Sequence, residues 1–424
     1  MNMALWDGIR ARLNRREFSR LGIAAATGFG HLGAQTTKTR AIDDALRSGR
    51  ERRNIPAVVA MAADDKNIFY SGAFGKRDSS SNIPVDAKSL FSIMSMTKAI
   101  TTTAVMQLLE QGRLKLDEPA ARILPELAKL QVIDGFDDAT GNPILRPAKT
   151  PITLRHLLTH TSGFSYDTWN EKLYRYAQKT KTLNSDSITY PPSPLVFEPG
   201  TGWQYGTSMD WAGRMLNVVT GKSLEQYFQA NILQPLEMHD TSYFIPPEKF
   251  DRLVSSYARN PDGTMAPWPR VKPVPPKMPT GGGGLYSTAA DYIRFTQMIL
   301  GKGSLGRVRI LKPETVEEMS RNQIGMLGAG KMRSFDLSDS ADVDLHPGAE
   351  DKWGFGFLIN QVPYDGGRSA GSLAWAGSKN TFYWIDPPRN LAAVLLMHFV
   401  PFVDPAALGV LRDFERAVYA SLVR

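Results

Sequence analysis

Hydrophobic and polar positions change period twice along the chain. Residues 57–63 form one apolar run. Residues 67–73 form a second, and the polar triplet Asp64-Asp65-Lys66 between them reads as a turn, so the pair predicts a hairpin. Strand-like runs return only near the other end, at residues 354–361, 372–376, 381–385 and 392–398. Between the two ends the pattern turns helical, with residues 99–111, 209–220 and 223–233 following the helical period. Residues 40–53 read as a polar-faced helix and residues 289–300 as an apolar one. Asp404-Pro405 then sets an N-cap and a proline ahead of a terminal helix whose stripe is Leu408, Leu411, Phe414, Val418 and Leu422.

These elements predict an α+β fold: an antiparallel sheet assembled from both ends of the chain, flanked by N- and C-terminal helices, with a mostly helical domain inserted. Residues 35–95 and 281–424 are expected to form the sheet domain and residues 96–280 the helical one, itself built of helices and loops. Residues 153–163 read as one helix ended by Gly163. Residues 164–199, rich in Tyr and Trp, are too long for a plain loop and are expected to act as a lid. The run 281–284 is four glycines without the Lys-Ser/Thr of a phosphate loop, and predicts tight backbone packing where the chain re-enters the sheet domain.

One stretch needs a chemical explanation. The helix over residues 99–109 has almost no charge on any side, which predicts burial. Ser95 and Lys98 stand at its first turn, three residues apart and therefore on one face. Ser95 is readable as an N-cap and Lys98 as a side chain reaching for solvent. The alternative is a nucleophile and its base, because a serine hydroxyl is a weak nucleophile and needs a neighbour to take its proton.

Composition narrows the choice. The 424 residues contain no cysteine, so disulfides and thiolate metal sites are excluded. The six histidines show no helical zinc motif; His156 and His160 are four apart but read as structural, and neither a metal nor a cofactor is expected. No apolar run is long enough for a membrane span. The net charge of +8 is concentrated at the start, where residues 1–40 hold seven basic residues against two acidic ones, and no basic run with interleaved aromatics suggests nucleic acid. Within residues 1–34, the string from Asn14 to Arg20 resembles a twin-arginine export signal followed by a mild apolar stretch. Export to the periplasm is expected, with a cytoplasmic protein carrying an amphipathic N-terminal helix as the alternative. The sequence offers no reading of oligomeric state.

Three separated stretches carry the functional reading: Ser95-Met96-Thr97-Lys98, then Tyr205-Gly206-Thr207 ahead of a helix, then Trp375-Ala376-Gly377-Ser378 in the strand region. With the strings Leu157-Leu158-Thr159-His160-Thr161-Ser162-Gly163, Pro235-Leu236-Glu237-Met238 and Gly283-Gly284-Leu285-Tyr286-Ser287, the chain resembles the serine β-lactamase and penicillin-binding-protein superfamily over about residues 40–420. Within it the likeness is nearest to class C β-lactamases and the family VIII carboxylesterases. The resemblance implies a β-lactamase/transpeptidase-like fold and a set of roles. Ser95 would attack an acyl carbonyl, Lys98 and Tyr205 would together move its proton, and the backbone N–H groups of Ser95 and Ser378 would form the oxyanion hole. Trp375, Ala376, Gly377 and Thr207 would contact substrate.

Two departures from the superfamily pattern point away from β-lactams. The third motif usually carries lysine where this chain has Trp375, and the second usually ends in asparagine where it has Thr207, which cannot present an amide's donor and acceptor together. The expectation is therefore a serine carboxylesterase acting on short-chain, small-molecule esters through an acyl-enzyme, with weak β-lactam hydrolysis as a side activity. A β-lactamase or D-Ala-D-Ala carboxypeptidase is the alternative, and a non-catalytic scaffold of the same fold a more distant one. A competing motif, Gly367-Arg368-Ser369-Ala370-Gly371, has the form of a nucleophile elbow, with Asp386 and His398 following in chain order. An elbow needs a helix after its serine, whereas a strand-like run follows here, so Ser369 is read as a turn residue.

Overall fold

The computed structural model describes residues 37–183, 192–272 and 274–422. The export-signal reading at residues 1–34 lies outside them, as does part of the lid reading at residues 184–191. Ala41–Arg424 form one compact unit. Its centre is a seven-stranded sheet in the order Lys352–Trp353, Leu358–Ile359, Leu373–Gly377, Thr381–Asp386, Leu391–Leu396, Ala57–Ala63, Ile68–Gly75, and every neighbouring pair is antiparallel. The two ends of the chain thus meet in mid-sheet, where Ala60 faces Leu395. Both strands are buried along their whole length, which is why neither alternates with polar residues.

The strand Thr381–Asp386 shows how the layers divide. Its side chains point alternately to the two faces. Tyr383 meets Tyr292 of the helix Ala289–Leu300, while Trp384 meets Phe414 of the helix Pro405–Leu422. The first helix, Thr37–Arg52, joins the second face: Ile42 and Leu46 enter the core, and Tyr70 of the sheet bonds Asp43. Asp404 caps the last helix, its Oδ1 accepting the N–H of Ala406 and Ala407.

The helix Thr97–Glu110 is buried from Thr97 to Leu108 and packs against the helix Ser208–Thr220. Two of its threonines are tolerated there because their hydroxyls find backbone partners: Thr103 returns to the carbonyl of Ala99, and Thr101 reaches that of Gly281.

The inserted region departs from the sequence expectation. Gln131–Phe136 and Pro143–Pro147 form an antiparallel hairpin, and Tyr257–Arg259 pairs Met265–Pro267. Both pairs are short and carry charged residues, so their period is weak in the sequence. The helix expected over residues 153–163 covers only Leu154–Leu158, and the chain then turns at His160, whose φ is +56°. The lid-like segment contains a helix of its own, Glu171–Thr180, capped by Asn170.

The elbow motif is structural. Ser369 donates its backbone N–H to Asp386, which also accepts from Tyr419, and Arg368 makes a buried bidentate pair with Glu415. His398 lies past the other end of the antiparallel pair that Asp386 begins, so the three residues do not converge. Its ring is held instead between the Ser92 N–H and the Val254 carbonyl.

Candidate active site

Ser95 stands in the single 3₁₀ turn Met94–Met96 that opens the Thr97–Glu110 helix. Met94 before it has φ of +46°, a left-handed backbone that an unbranched residue adopts only under constraint. The constraint comes from the sheet. A Cβ on Gly377 would lie 2.3 Å from the carbonyl oxygen of Ile93, so glycine lets the strand Leu373–Gly377 press against the turn that carries the serine. Ser378, the next residue, lines the same cavity as Ser95.

Lys98 is buried, and its Nζ has three oxygen partners: Ser95 Oγ at 3.0 Å, Tyr166 Oη at 3.2 Å and the Gly282 carbonyl at 2.6 Å. A charged ammonium has three N–H donors for these three acceptors, and after loss of one proton the amine keeps two donors and can turn its lone pair to the Ser95 hydroxyl. The rings of Tyr205 and Tyr166 lie 4.7 and 5.4 Å from the same nitrogen, so their faces also meet the cation. The Gly282 carbonyl is itself held from behind: the N–H of that residue donates to Asp210 Oδ1 at 2.7 Å. A Cβ at Gly282 would lie 2.8 Å from both oxygens of that carboxylate. Burial pushes the Asp210 carboxyl above its ordinary range, against the pull of the nearby Lys98 charge.

Tyr205 is buried beneath this cluster. Its Oη accepts the indole N–H of Trp375 at 3.0 Å, and the two rings are 4.8 Å apart. Trp375 is backed in turn by Trp353, edge to face. His160 packs 4.7 Å from the Tyr205 ring, and among the described residues neither ring nitrogen has a hydrogen-bond partner. Burial, and secondarily the Lys98 charge, hold its pKa well below the imidazole range, so it is neutral. His398 is depressed in the same way, by burial first and the Lys379 charge second.

These two histidines fix an acid limit. Each is neutral when folded and titrates near 6.5 when unfolded, so below that pH the unfolded chain binds more protons and stability falls as pH falls. The expected slope is about 1.4 kcal/mol per pH unit for each histidine. Thermal unfolding between pH 7 and 5 should show a falling midpoint; a flat profile would contradict the neutral assignment.

The cavity in front of Ser95 has a volume of about 530 Å³. One wall is the Gly-rich turn, through Thr280, Gly282, Gly283 and Gly284; the other holds Tyr166, Asp167, Thr168 and Trp169 beside Asp336 and Asp339. The far wall is tied together where Trp169 Nε1 donates to Ser340 Oγ and the Phe335 N–H to the Thr168 carbonyl. Among the described residues, no arginine or lysine lines it.

The sequence-predicted residues therefore divide. Ser95, Lys98 and Tyr205 come together, and Ser378 joins Ser95 at the cavity. Trp375 reaches the cluster from behind Tyr205, and Ala376 and Gly377 are buried on the strand. Thr207 precedes the Ser208–Thr220 helix and is not on the cavity wall. Three participants escaped the sequence reading. Tyr166 was visible only as one aromatic among many in the lid-like segment, and the Gly282 carbonyl is a backbone group with no signature. Asp210 did leave a signal, an acid in the buried first turn of its helix.

Loss of the Trp375 donor should be measurable. A Trp375→Phe chain keeps the ring stack but leaves Tyr205 Oη without its donor. A hydrogen bond to a charged group contributes about 1.5–3 kcal/mol, so with Tyr205 in the role the resemblance implies, kcat for an acetyl ester should drop roughly 10- to 100-fold. An unchanged kcat would show that the bond has no part in turnover.

Fold and site together define a class, that of proteins with a serine and a lysine on a buried helix beside an antiparallel sheet. The chain belongs to the beta-lactamase family, whose profile covers residues 42–415. It is 32% identical over 399 residues to monacolin J acid methylbutanoyltransferase of Aspergillus terreus, covering 89% of this chain and 95% of that protein. It is 31% identical over 398 residues to lovastatin esterase of Penicillium rubens, covering 89% and 98%. Among solved structures, unliganded simvastatin synthase from Aspergillus terreus superposes with a TM-score of 0.76 at 29% identity, covering 91% of this chain and 98% of that one.

Proposed function

We propose that the protein is a serine esterase that forms an acyl-enzyme on Ser95. The observation that carries this reading is the 3.0 Å contact between Lys98 Nζ and Ser95 Oγ, made where Lys98 is buried among oxygens beside a cavity of about 530 Å³. Ser95 Oγ attacks the ester carbonyl carbon, and its proton passes to the Lys98–Tyr205 unit. The carbonyl oxygen becomes an oxyanion, held by the backbone N–H groups of Ser95 and Ser378. Collapse breaks the bond to the alcohol oxygen, which leaves with the proton. Water then attacks the acyl-enzyme, gives its proton to the same unit, and releases the acid as Ser95 regains its hydrogen.

The substrate class follows from charge. Among the described residues, four carboxyl groups and no lysine or arginine line the cavity, an environment that favours neutral esters over substrates needing a cation for their carboxylate. A second reading has support in the relatives named for acyl transfer: an alcohol takes the place of water in the second half of the reaction.

The test is covalent labelling with a p-nitrophenyl phosphonate, followed by peptide mapping, beside turnover of p-nitrophenyl acetate and a chromogenic cephalosporin. A single adduct on Ser95 and preference for the ester are expected. An adduct on Ser369, or cephalosporin turnover above that of every short-chain ester, would overturn the reading. Added alcohol that diverts product from acid to ester would mark the transfer branch.

A further inference from the structure

The Gly-rich turn has two sides. One borders the Ser95 cavity. The other borders a smaller groove of about 190 Å³, lined by Tyr243, Val274, Pro276, Met278 and Tyr286. Thr280, Gly283 and Gly284 line both, so the turn is their common border. The groove is fixed on one side by Tyr243, whose ring is buried and whose Oη donates to the Thr280 carbonyl at 2.5 Å. Its outer edge is the proline-rich stretch around residues 274–278, which leaves apolar side chains in water: Val274 is 82% exposed and Met278 45%. Three of the four carboxyl groups of the main cavity, those of Asp167, Asp336 and Asp339, stand at the opposite wall, while the fourth, Asp210, is tied to the Gly282 N–H on the turn itself.

We infer that this groove is an acyl-chain subsite: the apolar tail of the acyl group runs from Ser95 over Gly283 into the space between Tyr243 and Met278. This rests on the ester reading above and adds a direction to it. An acyl chain of several methylenes gains by covering Val274 and Met278, whereas a polar alcohol is better hydrated and hydrogen-bonded at the acidic wall. The path is open because position 283 has no side chain. A Cβ there would meet nothing nearer than the Met94 backbone at 3.9 Å, beside the nucleophile, and its φ is not in the left-handed region. A branched residue at 283 therefore fits the fold and fills the passage.

The experiment compares kcat/KM for p-nitrophenyl acetate, butyrate and hexanoate in the native chain, in Gly283→Val and in Met278→Ser. In the native chain kcat/KM should rise about threefold per added methylene, less than full burial would give because the groove covers the tail on one side. Gly283→Val should cut the hexanoate-to-acetate ratio at least about tenfold, and Met278→Ser about threefold. The ratio cancels any general loss of activity, and thermal unfolding identifies a variant that does not fold. Native turnover without length preference, or a preference that survives both substitutions, would overturn the subsite while leaving the esterase reading intact. So would a length preference in the alcohol, measured with acetate esters of rising alcohol length, that Gly283→Val removes. Absence of turnover with every ester would overturn the esterase reading itself.

Discussion

A Ser95→Ala chain is expected to lose ester turnover by about 10⁴- to 10⁶-fold, the range found when a hydrolase loses its nucleophile. Ser95 is half-buried at the cavity and its Oγ is bonded to Lys98 Nζ, so alanine removes the hydroxyl without opening a hole in the core. The backbone N–H that would polarise the carbonyl stays in place, and binding should persist. Initial rates on p-nitrophenyl acetate, measured beside the melting temperature, separate the two effects: the rate falls and the fold holds. Turnover within tenfold of the native chain would place the nucleophile elsewhere.

Lys98→Met should cost about 10²- to 10⁴-fold in kcat/KM, the usual contribution of a positioned acid–base group. Methionine has nearly the length of lysine and suits a buried position, so the loss is chemical rather than steric. Three oxygens, on Ser95, Tyr166 and Gly282, lose their common donor. Lys98→Arg should not rescue, because a planar fork cannot point single N–H groups at three converging acceptors. The rate of phosphonate labelling provides an independent readout and should fall in parallel. A kcat/KM within threefold of native would remove Lys98 from the proton path.

The parts of the site that the sequence disclosed are those in which one side chain does one recognisable thing. Ser95 and Lys98 are one helical turn apart, and helical geometry brings them to one face. Tyr205 follows a turn and precedes a helix, and Trp375 stands in a strand whose neighbours could be counted. The sheet was legible for the same reason, since its strands are apolar throughout and lie at both ends of the chain. The groups that stayed hidden act through tertiary contacts. Gly282 contributes a carbonyl whose direction depends on Asp210, and Tyr166 comes to Lys98 across a separation of 68 residues. The hairpin Gln131–Phe136 with Pro143–Pro147 was lost because its alternation is broken by Asp134, Gly135 and a register shift. At His160 the helical pattern continued through residues that the backbone leaves, since a single left-handed residue ends a helix without changing hydrophobic period.

The pairing of Ala57–Ala63 with Leu391–Leu396 also sets an order of events during synthesis. The hairpin with Ile68–Gly75 can close as soon as it is made. The other edge of Ala57–Ala63 must stay unpaired until the ribosome has added more than three hundred further residues, about 15–60 s at ordinary rates of elongation. An apolar strand with a free edge is a template for wrong partners throughout that interval. The newborn chain is thus most vulnerable to aggregation before its active site exists, and the same late strands that protect it bring Ser378 to Ser95.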